Sequence, residues 1–171
     1  MKIAIIGTGN LGGAIANGLI TNNAITSLYL TKRNVNGLSA FEGYKNVYLT
    51  SDNRKAVSQS DILIFAVQPA HFETILDDVK DLLTDKHVVI STITGYAISK
   101  IEDQIGKDQH IIRAMPNTAI AVGKSMTCLC SNAVSKRTIS SSNCSAFLDS
   151  VLHRSLNIMT SFSYLSAFLL V

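Results

Sequence analysis

Apolar residues fall along this chain in two alternating rhythms. Some runs are apolar at every position: Ile3-Ala4-Ile5-Ile6, Leu28-Tyr29-Leu30, Val47-Tyr48-Leu49 and the stretch from Ile62 to Val67. Val88-Val89-Ile90 opens a fifth run and Ile111-Ile112 marks a sixth. A strand apolar at every residue, not at every second one, is covered on both faces, as in a parallel sheet enclosed by helices. Between the runs the period changes. Leu11, Ala14, Ile15, Gly18 and Leu19 share one face of a helix. Phe72, Ile75, Leu76, Val79, Leu82 and Leu83 do the same, with Asp77, Asp78, Lys80 and Asp81 mostly opposite. Ile98, Ile101, Glu102 and Ile105 make a shorter helix. Strands alternating with helices over short links predict a doubly wound α/β domain, a mostly parallel sheet with helices on both faces.

This pattern fades beyond the sixth run. Ser135 to Ser145 is polar and serine-rich, the composition of a loop or a weak helix start. The reading therefore divides the chain into one domain over residues 1–150 and a divergent or truncated tail over 151–171. Composition fits a packed globule: 47% of the 171 residues are hydrophobic and 16% charged. A net charge of +3 is too small to suggest a nucleic-acid or anionic-membrane surface. The first residues are apolar, but Gly7, Gly9, Gly12 and Gly13 interrupt them, unlike a secretory leader. The apolar stretch from Phe162 to Val171 is too short to span a bilayer. Cys128, Cys130 and Cys144 form no disulfide framework, and Cys128-x-Cys130 is not the spacing of a redox or zinc motif. Reduced thiols in a cytoplasmic protein are expected. The histidines show no metal-ligand spacing, so no metal is expected.

One motif carries chemistry. Gly7-Thr8-Gly9-Asn10-Leu11-Gly12 is a G-x-G-x-x-G between a buried strand and an amphipathic helix, the context in which it binds a dinucleotide in a Rossmann-type domain. The first glycine allows a tight turn, the second lets backbone approach a pyrophosphate, and the third lets the helix pack closely. The pyrophosphate rests on free N–H groups and the positive end of the helix dipole. A domain that holds an unphosphorylated ribose usually carries Asp or Glu about 20 residues further on. Here that place reads Thr31-Lys32-Arg33-Asn34. Arg33 can pair with a 2′-phosphate while Thr31 and Asn34 add neutral donors, so the expected cofactor is NADP. Gly123-Lys124-Ser125 looks like the end of a P-loop, but Thr118 stands where that motif needs glycine.

Further segments are more specific. Ser51-Asp52-Asn53, Ala66-Val67-Gln68-Pro69, Ile90-Ser91-Thr92-Ile93-Thr94-Gly95 and Arg113-Ala114-Met115-Pro116-Asn117-Thr118 occur in this order, followed by Val122-Gly123-Lys124-Ser125-Met126-Thr127. Over roughly residues 1–150 the chain resembles pyrroline-5-carboxylate reductases, apart from Gln68 where that family usually has Lys. The resemblance implies NADPH-dependent reduction of 1-pyrroline-5-carboxylate to L-proline. It implies that Ile6 to Leu11 line the pyrophosphate, with Gly12 closing the loop. Thr31, Arg33 and Asn34 would take the adenosine phosphate, and Asn53 the adenosine half. Ala66, Val67, Gln68, Pro69, Thr92 and Thr94 would shape the nicotinamide side. Met115, Pro116 and Asn117 would face the small-molecule substrate.

In that family a helical dimerisation domain follows and carries a Ser-Gly-Ser-Gly-Pro-Ala segment for the pyrroline carboxylate. Residues 151–171 contain nothing like it. The expectation is weak or no activity of this chain alone, with no residue of its own standing out as essential acid or base. Two other readings stay open. One is another NADP-dependent reductase of the same superfamily, such as a hydroxyacid dehydrogenase or a deazaflavin-linked NADP reductase. The other is a non-catalytic NADP-binding module that works by association, including with a second copy of itself.

Overall fold

The computed structural model describes residues 1–21, 25–116 and 127–135. Six strands run in parallel: β1 (Lys2–Ile6), β2 (Ser27–Thr31), β3 (Val47–Thr50), β4 (Ile62–Phe65), β5 (Val88–Ser91) and β6 (His110–Pro116). A seventh, β7 (Thr127–Ser131), pairs antiparallel to β6. The order across the sheet is β3-β2-β1-β4-β5-β6-β7. The order reverses at β1, between β2 and β4. In open α/β sheets the crevice beyond the carboxyl ends of the strands at this point takes the ligand.

The continuously apolar runs are buried on both sides, as their pattern requires. Ile3 and Ile5 face one core cluster and Ala4 and Ile6 the other; Ile62 and Ile64 divide from Leu63 and Phe65 in the same way. The first cluster is closed by Ile15, Ala16 and Leu19 of α1 (Asn10–Thr21) and by Leu38 and Phe41 of a 3-10 helix (Val35–Phe41). The second is closed by α2 (Asn53–Ser58), α3 (Pro69–Val79) and α4 (Ile98–Ile105), through Ala56, Val57, Phe72, Leu76, Val79 and Ile101. Phe72 stacks edge-on against Phe65 at 5.4 Å and against Tyr96 at 4.9 Å between ring centres. Burial first, and then the hydrogen bond to Glu73, raise the Tyr96 phenol above its ordinary range.

The structure shifts several expected boundaries. The fourth strand ends at Phe65, and Ala66 to Gln68 form the connection into α3, because Pro69 begins the helix where its missing N–H costs nothing. The long second helix stops at Val79, and Lys80–Leu82 tighten into a 3-10 turn. The 3-10 helix at Val35–Phe41, α2 and β7 had no counterpart in the apolar pattern. The supposed features at Asn117, Val122 to Met126 and Cys144, and the tail at 151–171, lie outside the described residues.

Two polar devices hold the periphery. The buried Asn132 side chain, just past β7, donates from Nδ2 to the Gln109 carbonyl at 2.9 Å. Its Oδ1 accepts the N–H of Ser135 at 3.1 Å and a longer bond from Ile111 at 3.4 Å. Asn132→Ala would leave these buried groups unpaired, so it is expected to cost about 1–3 kcal/mol in chemical denaturation. On the surface, Arg54 of α2 donates through both terminal nitrogens to Asp81 at 2.7 Å and also to the Asp78 carbonyl. The Arg54 hydrogen bond, followed by its charge, holds the Asp81 carboxyl below its ordinary range. A carboxyl lowered in the folded state stabilises above its unfolded value, about 3.9, and loses that contribution as pH falls through the folded value. The small advantage in melting temperature of wild type over Arg54→Met should therefore be present at neutral pH and disappear in acid.

Candidate functional site

The glycine loop sits at the crevice, and each glycine has its own reason. Gly7 has φ +90°, and a Cβ there would lie 2.3 Å from Val67 Cγ1 and 3.1 Å from the Ala66 carbonyl oxygen. A Cβ on Gly12 would meet the Gly7 carbonyl oxygen at 2.6 Å, so the third glycine lets α1 rest on the loop. A Cβ on Gly9 would meet nothing within 4 Å. It would project into open space, where a ligand could approach the backbone. These are the turn, packing and approach roles of a dinucleotide loop. The loop is tied to β2: the Thr31 carbonyl accepts the Thr8 N–H at 2.7 Å, and the Thr31 hydroxyl oxygen accepts the Gly7 N–H at 3.2 Å. α1 begins with Gly13 N–H donating to the Gly9 carbonyl at 2.8 Å, and the N–H groups of its first turn have no partner within the helix.

The loop forms the floor of an open cleft of about 520 Å³. Ile6, Gly7, Thr8 and Gly9 contribute the floor; Thr31, Lys32 and Arg33 come from the end of β2. Ser51 comes from the β3–α2 link and Asn53 from the start of α2, with Ala66, Val67 and Gln68 from the β4–α3 link. His71 and Ile75 reach in from α3. Thr8 is 2% exposed, and its hydroxyl has no partner in the structure. A buried hydroxyl left unpaired costs stability unless something else satisfies it. Arg33 is exposed and makes no hydrogen bond or ion pair among the described residues, while Lys32 donates to the Gly37 carbonyl at 3.2 Å. The β2 end thus carries two cations and no carboxylate, which suits a phosphate. A second groove, of about 540 Å³, lies beside Glu73, Asp77 and Asp78. Its carboxylates would repel an anion.

Some expected site residues have other work. Thr31 is 1% exposed and positions the loop. Asn34 caps the 3-10 helix, its Oδ1 accepting the Asn36 N–H at 3.1 Å. Thr92 is buried, and its hydroxyl donates to the Phe65 carbonyl at 2.8 Å, locking β5 to β4. Leu11 packs against the first core cluster and Gly12 under the loop. Asn10 and Pro69 open α1 and α3 at the margin of the cleft, outside its lining. Thr94, Met115 and Pro116 sit beyond β5 and at the end of β6, also outside the lining. Asn117 lies outside the described residues. Conversely, Lys32, Ser51, His71 and Ile75 join the cleft without having been assigned a ligand contact from the sequence.

A family model described as NADP oxidoreductase, coenzyme F420-dependent, matches residues 2–95, more than half the chain. The chain belongs to this family. Its relatives include two from Dictyostelium discoideum. Pyrroline-5-carboxylate reductase 1 is 43% identical over 131 residues, which is 74% of this chain and 23% of that protein. Pyrroline-5-carboxylate reductase 2 is 39% identical over 132 residues, 75% of this chain and 44% of that protein. Among solved structures, a pyrroline-5-carboxylate reductase from Coxiella burnetii superposes with a TM-score of 0.80 at 30% identity, covering 91% of this chain and 56% of that one. The Plasmodium falciparum enzyme solved with NADP bound gives 0.75 at 24% identity, covering 92% and 56%, a likeness of fold. The resemblance read from the sequence therefore holds across the glycine loop and the sheet. This chain spans less than half the length of the two Dictyostelium relatives. Among the described residues, no helix is long and apolar enough to cross a membrane.

Proposed function

We propose that this chain binds NADPH in the cleft at the carboxyl ends of β1, β2 and β4. We further propose that the protein it represents reduces 1-pyrroline-5-carboxylate to L-proline in the cytoplasm, as an NADP-dependent oxidoreductase of proline biosynthesis. One observation carries the cofactor reading: a glycine loop shaped for a pyrophosphate opens beside an unpaired arginine, with no carboxylate at the end of β2. Gly9 and the first turn of α1 receive the pyrophosphate. Arg33, with Lys32 beside it, holds the 2′-phosphate, while Ser51 and Asn53 border the adenosine. The link from Ala66 to Pro69 and Thr94 border the nicotinamide side, and Met115, Pro116 and Asn117 face the substrate. When bound, the reduced nicotinamide supplies the hydride that the imine carbon accepts. This chain's residues fix position and charge. The carboxylate-binding segment of the resembling family is not in these 171 residues, so this chain alone is expected to turn over the imine weakly or not at all.

The test is cofactor discrimination. Arg33→Ala is expected to weaken NADPH binding by about 1.5–3 kcal/mol, roughly 10- to 150-fold, the worth of a hydrogen bond to a charged group. NADH binding should change little. Fluorescence titration of both cofactors decides it, and equal losses would remove Arg33 from the phosphate. A second reading is favoured by the breadth of the matching family model: another NADP-dependent reductase of that family. Following NADPH absorbance with the pyrroline, hydroxyacid-derived carbonyls and a deazaflavin separates the two. NADPH binding without turnover of any of them, together with NADPH-dependent self-association, would favour a non-catalytic binding module.

A further inference from the structure

The described sheet ends on β7, and its register places three sulfur atoms on one exposed ledge. Cys128 stands directly opposite Met115 of β6, and Cys130 directly opposite Arg113. Side chains directly opposite in an antiparallel pair share a face, and residues two apart in a strand share it too. Ala114, Ile112 and Leu129 take the other face, in or against the first core cluster. Both thiols are exposed, and Met115 is 38% exposed. The Arg113 guanidinium lies in the same row and donates to Met115 Sδ at 3.5 Å. The ledge lies two and three strands from β4, outside the lining of the dinucleotide cleft, and shares Met115 with the proposed substrate side.

The two thiols are badly placed to bond each other. Two residues along a strand are separated by about 6.6 Å. A disulfide needs Cβ atoms about 3.5–4.5 Å apart, so closing one would require the strand to buckle. A metal ion can bridge them instead. Two bonds of about 2.3 Å reach across up to about 4.6 Å of sulfur–sulfur separation. Strand side chains lean along the strand and can supply the rest. Thiolate and thioether donors select soft cations over hard divalent ions such as magnesium and calcium. Among the described residues no cluster of three His, Cys, Asp or Glu groups could hold a metal ion, and the Met115 thioether is the further soft donor in the row.

We propose that the β6–β7 ledge binds one soft, thiophilic cation of the Cu(I) or Cd(II) type, through the thiolates of Cys128 and Cys130 with Met115 Sδ as a weaker third ligand. As each bond to Cys128 or Cys130 forms, that thiol releases a proton to solvent, while the Met115 thioether binds through a lone pair; no electron is transferred. Two thiolates around a monovalent cation leave one negative charge, which the adjacent Arg113 balances.

The experiment uses the full chain, reduced and kept anaerobic, in a Cys144→Ser background that leaves only the two ledge thiols. Cu(I) is titrated in competition with a chromophoric chelator, and Cd(II) is followed by its thiolate charge-transfer absorbance. One equivalent per chain is expected. Cys128→Ser and Cys130→Ser should each bind at least about 100-fold more weakly, the loss of a two-point attachment. Met115→Leu should lose less. Single-serine variants that bind as tightly as the parent, or one cation shared between two chains, would overturn the proposal. Alkylation of the wild-type chain needs no variant: Cu(I) should protect Cys128 and Cys130 together, and protection of one alone counts against the shared site.

Discussion

Gly9→Ala is expected to leave the melting temperature of this protein nearly unchanged and to weaken NADPH binding by about 10- to 100-fold, or roughly 1.4–2.7 kcal/mol. Gly7→Ala and Gly12→Ala are expected to do the reverse, lowering stability first by roughly 2–4 kcal/mol. The difference follows from what a new Cβ would meet. At Gly9 it meets no protein atom within 4 Å, and the backbone is not in the left-handed region, so alanine costs the fold little. The same methyl occupies the space through which a pyrophosphate would reach the loop. At Gly7 the φ of +90° is strained for any L side chain, by about 1–2 kcal/mol, before the overlap with Val67 is counted. At Gly12 the obstacle is the Gly7 carbonyl oxygen at 2.6 Å, which is backbone and cannot swing aside. Thermal melts and fluorescence titration of the three variants give a two-way pattern that a glycine-rich turn without a ligand would not produce. If Gly9→Ala binds NADPH as the wild type does, the cofactor is not seated on this loop.

The sequence disclosed those parts of the molecule whose residues answer to a single strong constraint. The parallel strands are enclosed on both faces, so Ile3 to Ile6 and Ile62 to Phe65 can be nothing but apolar, and the runs announce themselves. β7 obeys weaker constraints. It lies at the end of the described sheet, and its one large apolar residue, Leu129, is partly buried against the core cluster while Cys128 and Cys130 are exposed. α2 is six residues long, too short to show a helical period. Its signal is local: Asp52 accepts the Lys55 N–H at 2.9 Å as an N-cap. The site divides the same way. The glycines and Arg33 were legible because motif and chemistry coincide there. His71 and Ile75 were not, because a histidine on an amphipathic helix reads as surface. Only the four-residue spacing from Ile75, on a helix that starts at the crevice, points it toward the cleft. Thr31 and Thr92 show the converse. Residue type at Thr31 and the family resemblance at Thr92 suggested ligand contacts; in the structure the Thr31 hydroxyl accepts the Gly7 N–H while Thr31 also lines the cleft, and the Thr92 hydroxyl donates to the Phe65 carbonyl.

Phe72→Ala is expected to cost about 3–5 kcal/mol in chemical denaturation. Phe72 is fully buried on the first turns of α3, where its ring meets the edges or faces of Phe65 and Tyr96. Removing it opens a cavity between β4, α3 and the segment before α4, which the packed neighbours can only partly fill. The consequence should extend to the cleft, because α3 starts at Pro69 directly after Ala66, Val67 and Gln68 and carries His71 and Ile75. Phe72→Leu keeps most of the volume and should cost less than about 1.5 kcal/mol. If the cavity acts mainly through folding, excess NADPH should recover stability by mass action, about 2.7 kcal/mol at one hundred times its dissociation constant, in both variants. The affinity of the folded Phe72→Ala protein should then stay within about tenfold of wild type, or 1.4 kcal/mol. A larger loss of affinity in Phe72→Ala but not in Phe72→Leu would mean that the aromatic cluster sets the position of the β4–α3 link. The cleft would then depend on the second core as well as on the glycine loop.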